Sequence, residues 1–258
     1  TIAEELSASE LVELLNEFLS EQTEILINNK GTLDKYQGDA IIAFFGAPVF
    51  TQRHAKQALD TGINLQKNLL SLKNRWKKQG DKWSSNVLNM NMRIGINTGE
   101  MVTGNMGSSL NMNYTMMGEE VNLASRLESG AKLYGIYFHT TYNTLQEAGL
   151  DYYEWRYIDK VIFKGFSEWR QTIEIFGYKG ETHSDTSKLI ELFHKGLDYY
   201  YQQDWNNAIK CFKKSEKYET ILHRKDINPS VIFIKRCYEF TDNPPDKNWD
   251  GHYRLDKK

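Results

Sequence analysis

The chain has 258 residues, 40% of them hydrophobic and 26% charged. That length holds one large domain or a domain with an appendage, and the composition excludes a disordered polyelectrolyte and a membrane-embedded core. With 32 Lys and Arg against 34 Asp and Glu, the net charge of −2 supplies no basic field for sequence-independent nucleic-acid binding, so no nucleic-acid partner is expected.

Ser7, with Glu10 three residues on, reads as a capping box opening a helix to about Asn28. Leu11, Leu14, Leu15, Phe18, Leu19, Gln22, Ile25 and Leu26 form its stripe, Gln22 being the one polar member. Thr32–Gln37 and Ala40–Phe45 are short apolar-rich runs around Gly38-Asp39, a two-residue turn of Gly-X type, which predicts a β-hairpin. A long amphipathic helix is expected from about Arg53 to Gln79, then a polar loop from Gly80 to Asn89. Strands are expected at Met92–Asn97 and Glu100–Gly104, then a flexible Gly/Ser/Asn-rich connection from Asn105 to Asn113. Tyr114–Met117 reads as extended, Glu119–Leu133 as a helix, Tyr137–Thr140 as a strand and Thr141–Ala148 as a short helix. Trp155–Phe163 and Thr172–Tyr178 predict a hairpin with Lys164–Glu168 at its turn.

Gly180 to Ser187 reads as a linker, and beyond it the pattern changes to paired helices at Leu189–Gln202 and Trp205–Tyr218, with a third opened by Pro229. Gly196, Tyr199, Ala208 and Phe212 resemble one tetratricopeptide repeat. A single repeat cannot bury its own face, so it should pack on a neighbour or on a protein partner. The stretch from Asn243 to Leu255 reads as an extended strap anchored by Trp249 and Tyr253. The whole predicts an α+β fold of the ferredoxin-like kind, antiparallel strands with packed helices, at residues 1–180, and a small all-α extension at 181–258.

Two cysteines, Cys211 and Cys237, are too few for a disulfide framework or a four-thiolate zinc site and suit a reducing, cytoplasmic setting. The six histidines, His223 among them, show no His-x-x-x-His spacing, which argues against zinc chemistry. No run of 18 apolar residues and no leader-like N-terminus is present, so no membrane contact is expected within this chain, whether it stands alone or is part of a larger anchored protein. The first residue is Thr1 and not Met, which reads as a cut chain.

Three places hold residues suited to chemistry. Asp39 at a hairpin tip could take a hard cation such as Mg²⁺, or could simply be good turn chemistry. Asn122 and Arg126, four apart on one helix face, could both donate to one anionic group, or Arg126 could pair with Glu119 or Glu120. Lys164, beside Gly165 in a hairpin turn, could reach a phosphate or be solvated decoration. Hydrolase, P-loop and dinucleotide-binding motifs are absent.

The stretches Lys35–Pro48 (KYQGDAIIAFFGAP), Arg93–Gly107 (RIGINTGEMVTGNMG) and Tyr114–Glu128 (YTMMGEEVNLASRLE) resemble the class III nucleotidyl cyclases, over roughly residues 1–178. The helical end resembles extensions that follow such domains in some bacterial cyclases. The resemblance implies the cyclase fold and the conversion of ATP to 3′,5′-cyclic AMP and pyrophosphate in signal transduction, at the interface of a homodimer. It implies Asp39 as one of two aspartates binding two Mg²⁺ or Mn²⁺ ions per site. It implies Lys35 and Thr115 as readers of the adenine, Asn122 as the group orienting the ribose, Arg126 as the group stabilising charge at the α-phosphate, and Lys164 at the β- and γ-phosphates. Lys35 with Thr115 favours ATP, because Lys donates to adenine N1 whereas guanine N1 carries its own proton.

Two departures accompany it. Phe166 stands where many relatives have a second Lys, and the other metal aspartate is expected upstream of Thr1, since Glu4 and Glu5 are in the wrong place to substitute. A fragment beginning at Thr1 is therefore expected to be inactive by itself. Two further readings stay open: a catalytically silent domain that binds nucleotide or only dimerises, and an interaction scaffold of tetratricopeptide type. The extension is a candidate regulator or partner dock, or a packed stabilising cap.

Overall fold

The computed structural model describes residues 2–220 and 227–255; Thr1 and His223 lie outside them. The chain falls into two compact units, Thr1–Met92 with Thr98–Val121, and Arg93–Asn97 with Asn122–Lys258.

The first unit opens with α1 (Ile2–Glu5) and α2 (Ala8–Asn28). Ser7 caps α2 in the expected capping box, its backbone N–H donating to Glu10 Oε2 at 2.8 Å. β1 (Thr32–Gln37) and β2 (Ala40–Phe44) form the expected antiparallel hairpin, with Gln37 opposite Ala40. Gly38 at its turn has φ +64°, the left-handed region that glycine adopts without strain. α3 (His54–Lys77) packs on α2 through Leu14, Phe18, Leu69, Leu72 and Trp76. The Trp76 indole N–H donates to Glu17 at 2.8 Å. The expected polar loop at 80–89 is instead a 3₁₀ turn (Gly80–Lys82) and α4 (Ser85–Leu88). Ser84 caps α4, and Trp83 and Val87 are buried against Trp76, so two apolar anchors fold this stretch down.

β3 (Ile94–Ile96) belongs to the second unit. β4 (Val102–Ser108) and β5 (Asn111–Met117), in the first, form a long hairpin with Gly104 opposite Thr115 and Ser108 opposite Asn111. This replaces the expected flexible connection at 105–113. A ladder needs only backbone N–H and C=O, which these Asn, Gly and Ser residues supply as well as Val. The Ser108 hydroxyl accepts from the N–H groups of Leu110 and Asn111, both at 3.3 Å, and closes the turn.

The second unit continues with α5 (Glu119–Tyr134), β6 (Phe138–Thr141), α6 (Tyr142–Ala148), β7 (Tyr153–Phe163) and β8 (Arg170–Tyr178). The helices α7 (Thr186–Tyr201), α8 (Trp205–Glu219) and α9 (Pro229–Asp242) follow, and β9 (His252–Leu255) ends the description. α5 begins at the junction of the two units and runs from Asn122 onward in the second. The sheet order is β3-β6-β8-β7-β9, with β6·β8 and β7·β8 antiparallel and β3·β6 and β7·β9 parallel. The fold is the expected α+β class with a helical C-terminal part. Within the sheet, two of the four pairings are parallel. The expected C-terminal strap is itself a strand and extends the sheet at β7.

α5 buries Leu123, Leu127, Ala131 and Tyr134, one helical stripe, in a core shared with Ile158, Val161, Phe193, Phe212 and Phe233. It lies so close over β3 that a Cβ on Gly95 would come within 2.4 Å of the Ala124 carbonyl oxygen. His139 on β6 is buried beneath α5, its Nδ1–H donating to the Leu127 carbonyl at 2.8 Å. Two buried ion networks join the helical part to the sheet. Arg156 pairs with Glu174 and, at 2.7 Å, with Glu219. Arg236 pairs with Asp159, and burial alone would lower its pKa, but that carboxylate and Tyr134 hold it well above the ordinary value.

Candidate active site

Three of the expected residues lie in the first unit. Asp39 is exposed at the tip of the β1–β2 hairpin, and Lys35 is exposed on β1. Thr115 is half-buried on β5, and β1 and β5 touch. Phe44 and Tyr114, with ring centroids 6.0 Å apart, tie the two hairpins together. The strand pairing skips Asp34, a bulge that lets Asp34 and Lys35 depart from strict alternation. The Asp34 carboxylate, only 4% exposed, sits 3.4 Å from the Lys35 ammonium. Asp34 was not singled out from the sequence, because nothing in it announces the bulge.

The other three lie in the second unit. Asn122 is exposed and Arg126 half-buried on α5, one helical turn apart. Lys164 follows the last residue of β7, and Gly165, at φ +92°, makes the turn beyond it. Arg126 and Lys164 line one small pocket together with Ser129, Gly130, Leu133, Phe163 and Leu255. Among the described residues of the second unit Arg126 has no carboxylate partner. Ser129, Leu133 and Leu255 carry no motif, and only the fold brings them here.

Phe166 is buried in the core of the second unit, against the α5 stripe. It anchors the turn that carries Lys164, with an apolar ring where many relatives are expected to carry a second cation. Glu5 is engaged by Ser84 at 2.8 Å and by Asn86, which hold its carboxyl below the usual range.

Among the described residues no group of three or more His, Cys, Asp or Glu side chains gathers to hold a metal ion. Asp39 alone fits the pattern of a Mg²⁺ held by one or two carboxylates and completed by phosphate oxygens of a ligand. No described helix is long and apolar enough to cross a membrane.

Comparison with known proteins bears on the family of the chain. A curated relative, Adenylate cyclase 1 of Rhizobium meliloti, is 33% identical over 135 residues, 52% of this chain and 19% of its own length. The terminal-differentiation specific adenylate cyclase of Dictyostelium discoideum is 27% identical over 241 residues, 92% of this chain and 11% of its own length, a match that takes in the helical extension. The chain thus spans a fifth or less of either relative. Among solved structures, the adenylyl cyclase CyaB from P. aeruginosa is 33% identical with a TM-score of 0.61, covering 70% of this chain and 89% of that one. The guanylyl cyclase Cya2 is 29% identical with a TM-score of 0.58, covering 70% and 87%. The model of the adenylate and guanylate cyclase catalytic domain matches residues 1–179, and the chain belongs to that family.

Proposed function

We propose that the protein is an adenylate cyclase, converting ATP to 3′,5′-cyclic AMP and pyrophosphate in a cytoplasmic setting. Residues 1–180 would form the catalytic domain, residues 181–258 its extension, and a homodimer the active assembly. The observation that carries the reading is the pocket of the second unit, which Arg126 and Lys164 line together and where Arg126 meets no carboxylate among the described residues. A half-buried guanidinium with no anionic partner among the described residues suits an anionic ligand, and two cations at one pocket suit a polyphosphate.

In the reaction the ribose 3′-oxygen bonds to the α-phosphorus. The bond from that phosphorus to the β-phosphate oxygen breaks, the hydroxyl proton passes to solvent and pyrophosphate leaves. Arg126 faces the α-phosphate and holds the charge that grows there, as a preorganised donor that needs no reorientation. Asn122, on the same helix face, orients the ribose. Lys164 holds the β- and γ-phosphates as a mobile point charge. Lys35 donates to adenine N1, and Thr115 accepts from the adenine amino group. Asp39 would help hold Mg²⁺ or Mn²⁺, two ions per site, which when bound would supply Lewis-acid charge at the 3′-hydroxyl and the triphosphate.

The test is product formation by the full-length protein with Mn²⁺ and either ATP or GTP. Cyclic AMP from ATP, with GTP turned over more slowly, is expected. Preference for GTP would overturn the assignment of Lys35 and Thr115. No turnover of either nucleotide, with binding retained, would favour the catalytically silent reading.

A further inference from the structure

The C-terminal strap reaches the pocket of Arg126 and Lys164 at Leu255. β9 runs parallel to the end of β7, with His252 opposite Lys160 and Leu255 opposite Phe163. Leu255 and Phe163 both line that pocket, and Lys164 follows Phe163 directly in the chain. The backbone that sets the position of Lys164 is therefore hydrogen-bonded to the strap.

The strap is held in turn by α9. Trp249 packs between Tyr200 and Phe240, each with ring centroids 5.3 Å away, and its indole N–H donates to the His252 carbonyl at 2.8 Å. Arg236 on α9 is buried, with its guanidinium carbon 3.5 Å from the centroid of the Tyr253 ring. The same guanidinium pairs with Asp159 on β7 and donates to the Tyr134 hydroxyl at 3.1 Å. Tyr134 in turn donates to Asp159 at 2.5 Å. It is the last residue of α5, the helix that carries Asn122 and Arg126. Just beyond it, at Gly135, the backbone of Ile227 comes so near that a Cβ would fall within 2.0 Å of its carbonyl oxygen. Strap, α9, β7 and α5 thus meet around one guanidinium.

A cap on the sheet edge would only need to cover apolar surface. Here the covering segment places an apolar side chain in a pocket that two cations line, and it rests on a buried Arg–Asp pair where apolar packing often stabilises as well or better. What a fully hydrogen-bonded ion pair adds is one fixed geometry.

We propose that the C-terminal strap and Arg236 position Arg126 and Lys164 for turnover, Arg236 through the end of α5 and Leu255 through the end of β7. The turnover arm of this inference rests on the cyclase reading; its exchange arm rests on the geometry alone.

The experiment compares Arg236→Met, Arg236→Lys and Leu255→Ala in the full-length protein. It reads kcat and KM for ATP with Mn²⁺, near-UV circular dichroism to establish folding, and amide hydrogen exchange. Arg236→Met is expected to lower kcat roughly tenfold to a hundredfold, the cost of a small misplacement of a catalytic group, with less effect on KM. Arg236→Lys restores part of kcat. Leu255→Ala raises KM several-fold, since Lys164 is the group it supports. Amide exchange rises at residues 126–134 in Arg236→Met and at 160–166 in Leu255→Ala. Folded variants with the kcat and KM of the wild type, or turnover that increases, would overturn the proposal, the latter making the strap inhibitory. If the wild-type protein turns over neither ATP nor GTP, the cyclase reading fails and the exchange data decide alone. Faster exchange confined to residues 186–255 then leaves the strap as a cap and nothing more. Should Arg236→Met not fold, Leu255→Ala at the sheet edge carries the test.

Discussion

Arg126 is half-buried and lines one pocket with Lys164, and Ser129 and Leu133 line it from the same helix, but no carboxylate does among the described residues. Two cationic side chains that line one pocket favour an anionic ligand there. If Arg126 acts at charge that develops on the α-phosphate, removing it should affect the chemical step more than binding. Arg126→Ala is expected to lower kcat by about a hundredfold to a thousandfold with a smaller rise in KM, measured as initial rates of cyclic AMP formation. A rise in KM with kcat unchanged would make Arg126 a binding group only. Five candidate residues could be named because two of the motifs contain them, Lys35 and Asp39 in one and Thr115, Asn122 and Arg126 in another, and Lys164 because it opens a Lys-Gly hairpin turn; their roles are what the resemblance implies. The pocket partner Leu255 could not be named, because it lies 91 positions from Lys164 and only the β7·β9 pairing joins them.

At the scale of elements, α5 is placed by a backbone-to-backbone contact with β3 at Gly95. A methyl group there would meet the Ala124 carbonyl and the Glu128 N–H at 2.4 Å, and backbone on both sides cannot yield as a flexible side chain would. Gly95→Ala should therefore push α5 off the sheet, costing about 1–3 kcal/mol of stability and a larger share of activity than of fold. Urea midpoints read beside kcat check it; unchanged kcat with lost stability would detach α5 placement from catalysis. Elements with a strong period or a cap were legible: α2 from its capping box, α3 from its stripe, the β1–β2 hairpin from Gly38-Asp39. Those that failed had misleading composition. The polar stretch at 80–89 is folded by Trp83 and Val87. The Gly/Ser/Asn stretch at 105–113 pairs as a ladder because neither Gly nor Asn withholds a backbone donor. The stretch from Asn243 to Leu255 was legible as an extended strap, but not the four ladder residues at its end.

At the scale of the whole molecule, the second unit buries His139 completely, and its Nε2 has no partner among the described residues. Burial pushes this imidazole down from 6.5 to about 4, so it is neutral in the folded protein, with its Nδ1–H committed to Leu127. Burial, and then the Arg156 guanidinium, likewise push His194 down to about 4; its Nε2 accepts from the Tyr157 N–H at 2.9 Å. Between these values and 6.5 the unfolded chain binds more protons than the folded one. Stability is therefore full above about pH 6.5 and falls as the pH drops towards 4, with His139 alone contributing on the order of 3 kcal/mol. Urea unfolding from pH 7.5 to 5 should show it, and a midpoint flat over that range would contradict the neutral buried imidazole.

The resemblance to class III cyclases implies that, in the proposed homodimer, each site draws its metal carboxylate from one protomer and its arginine from the other, a stricter demand than any single variant. Full-length proteins carrying Asp39→Asn or Arg126→Ala should each be inactive. Mixed in equal amounts and allowed to exchange subunits, half the dimers become mixed and hold one intact site of two, so roughly a quarter of wild-type cyclic AMP formation should return. A mixture as inactive as its components, with exchange verified by differential labelling, would contradict the composite site.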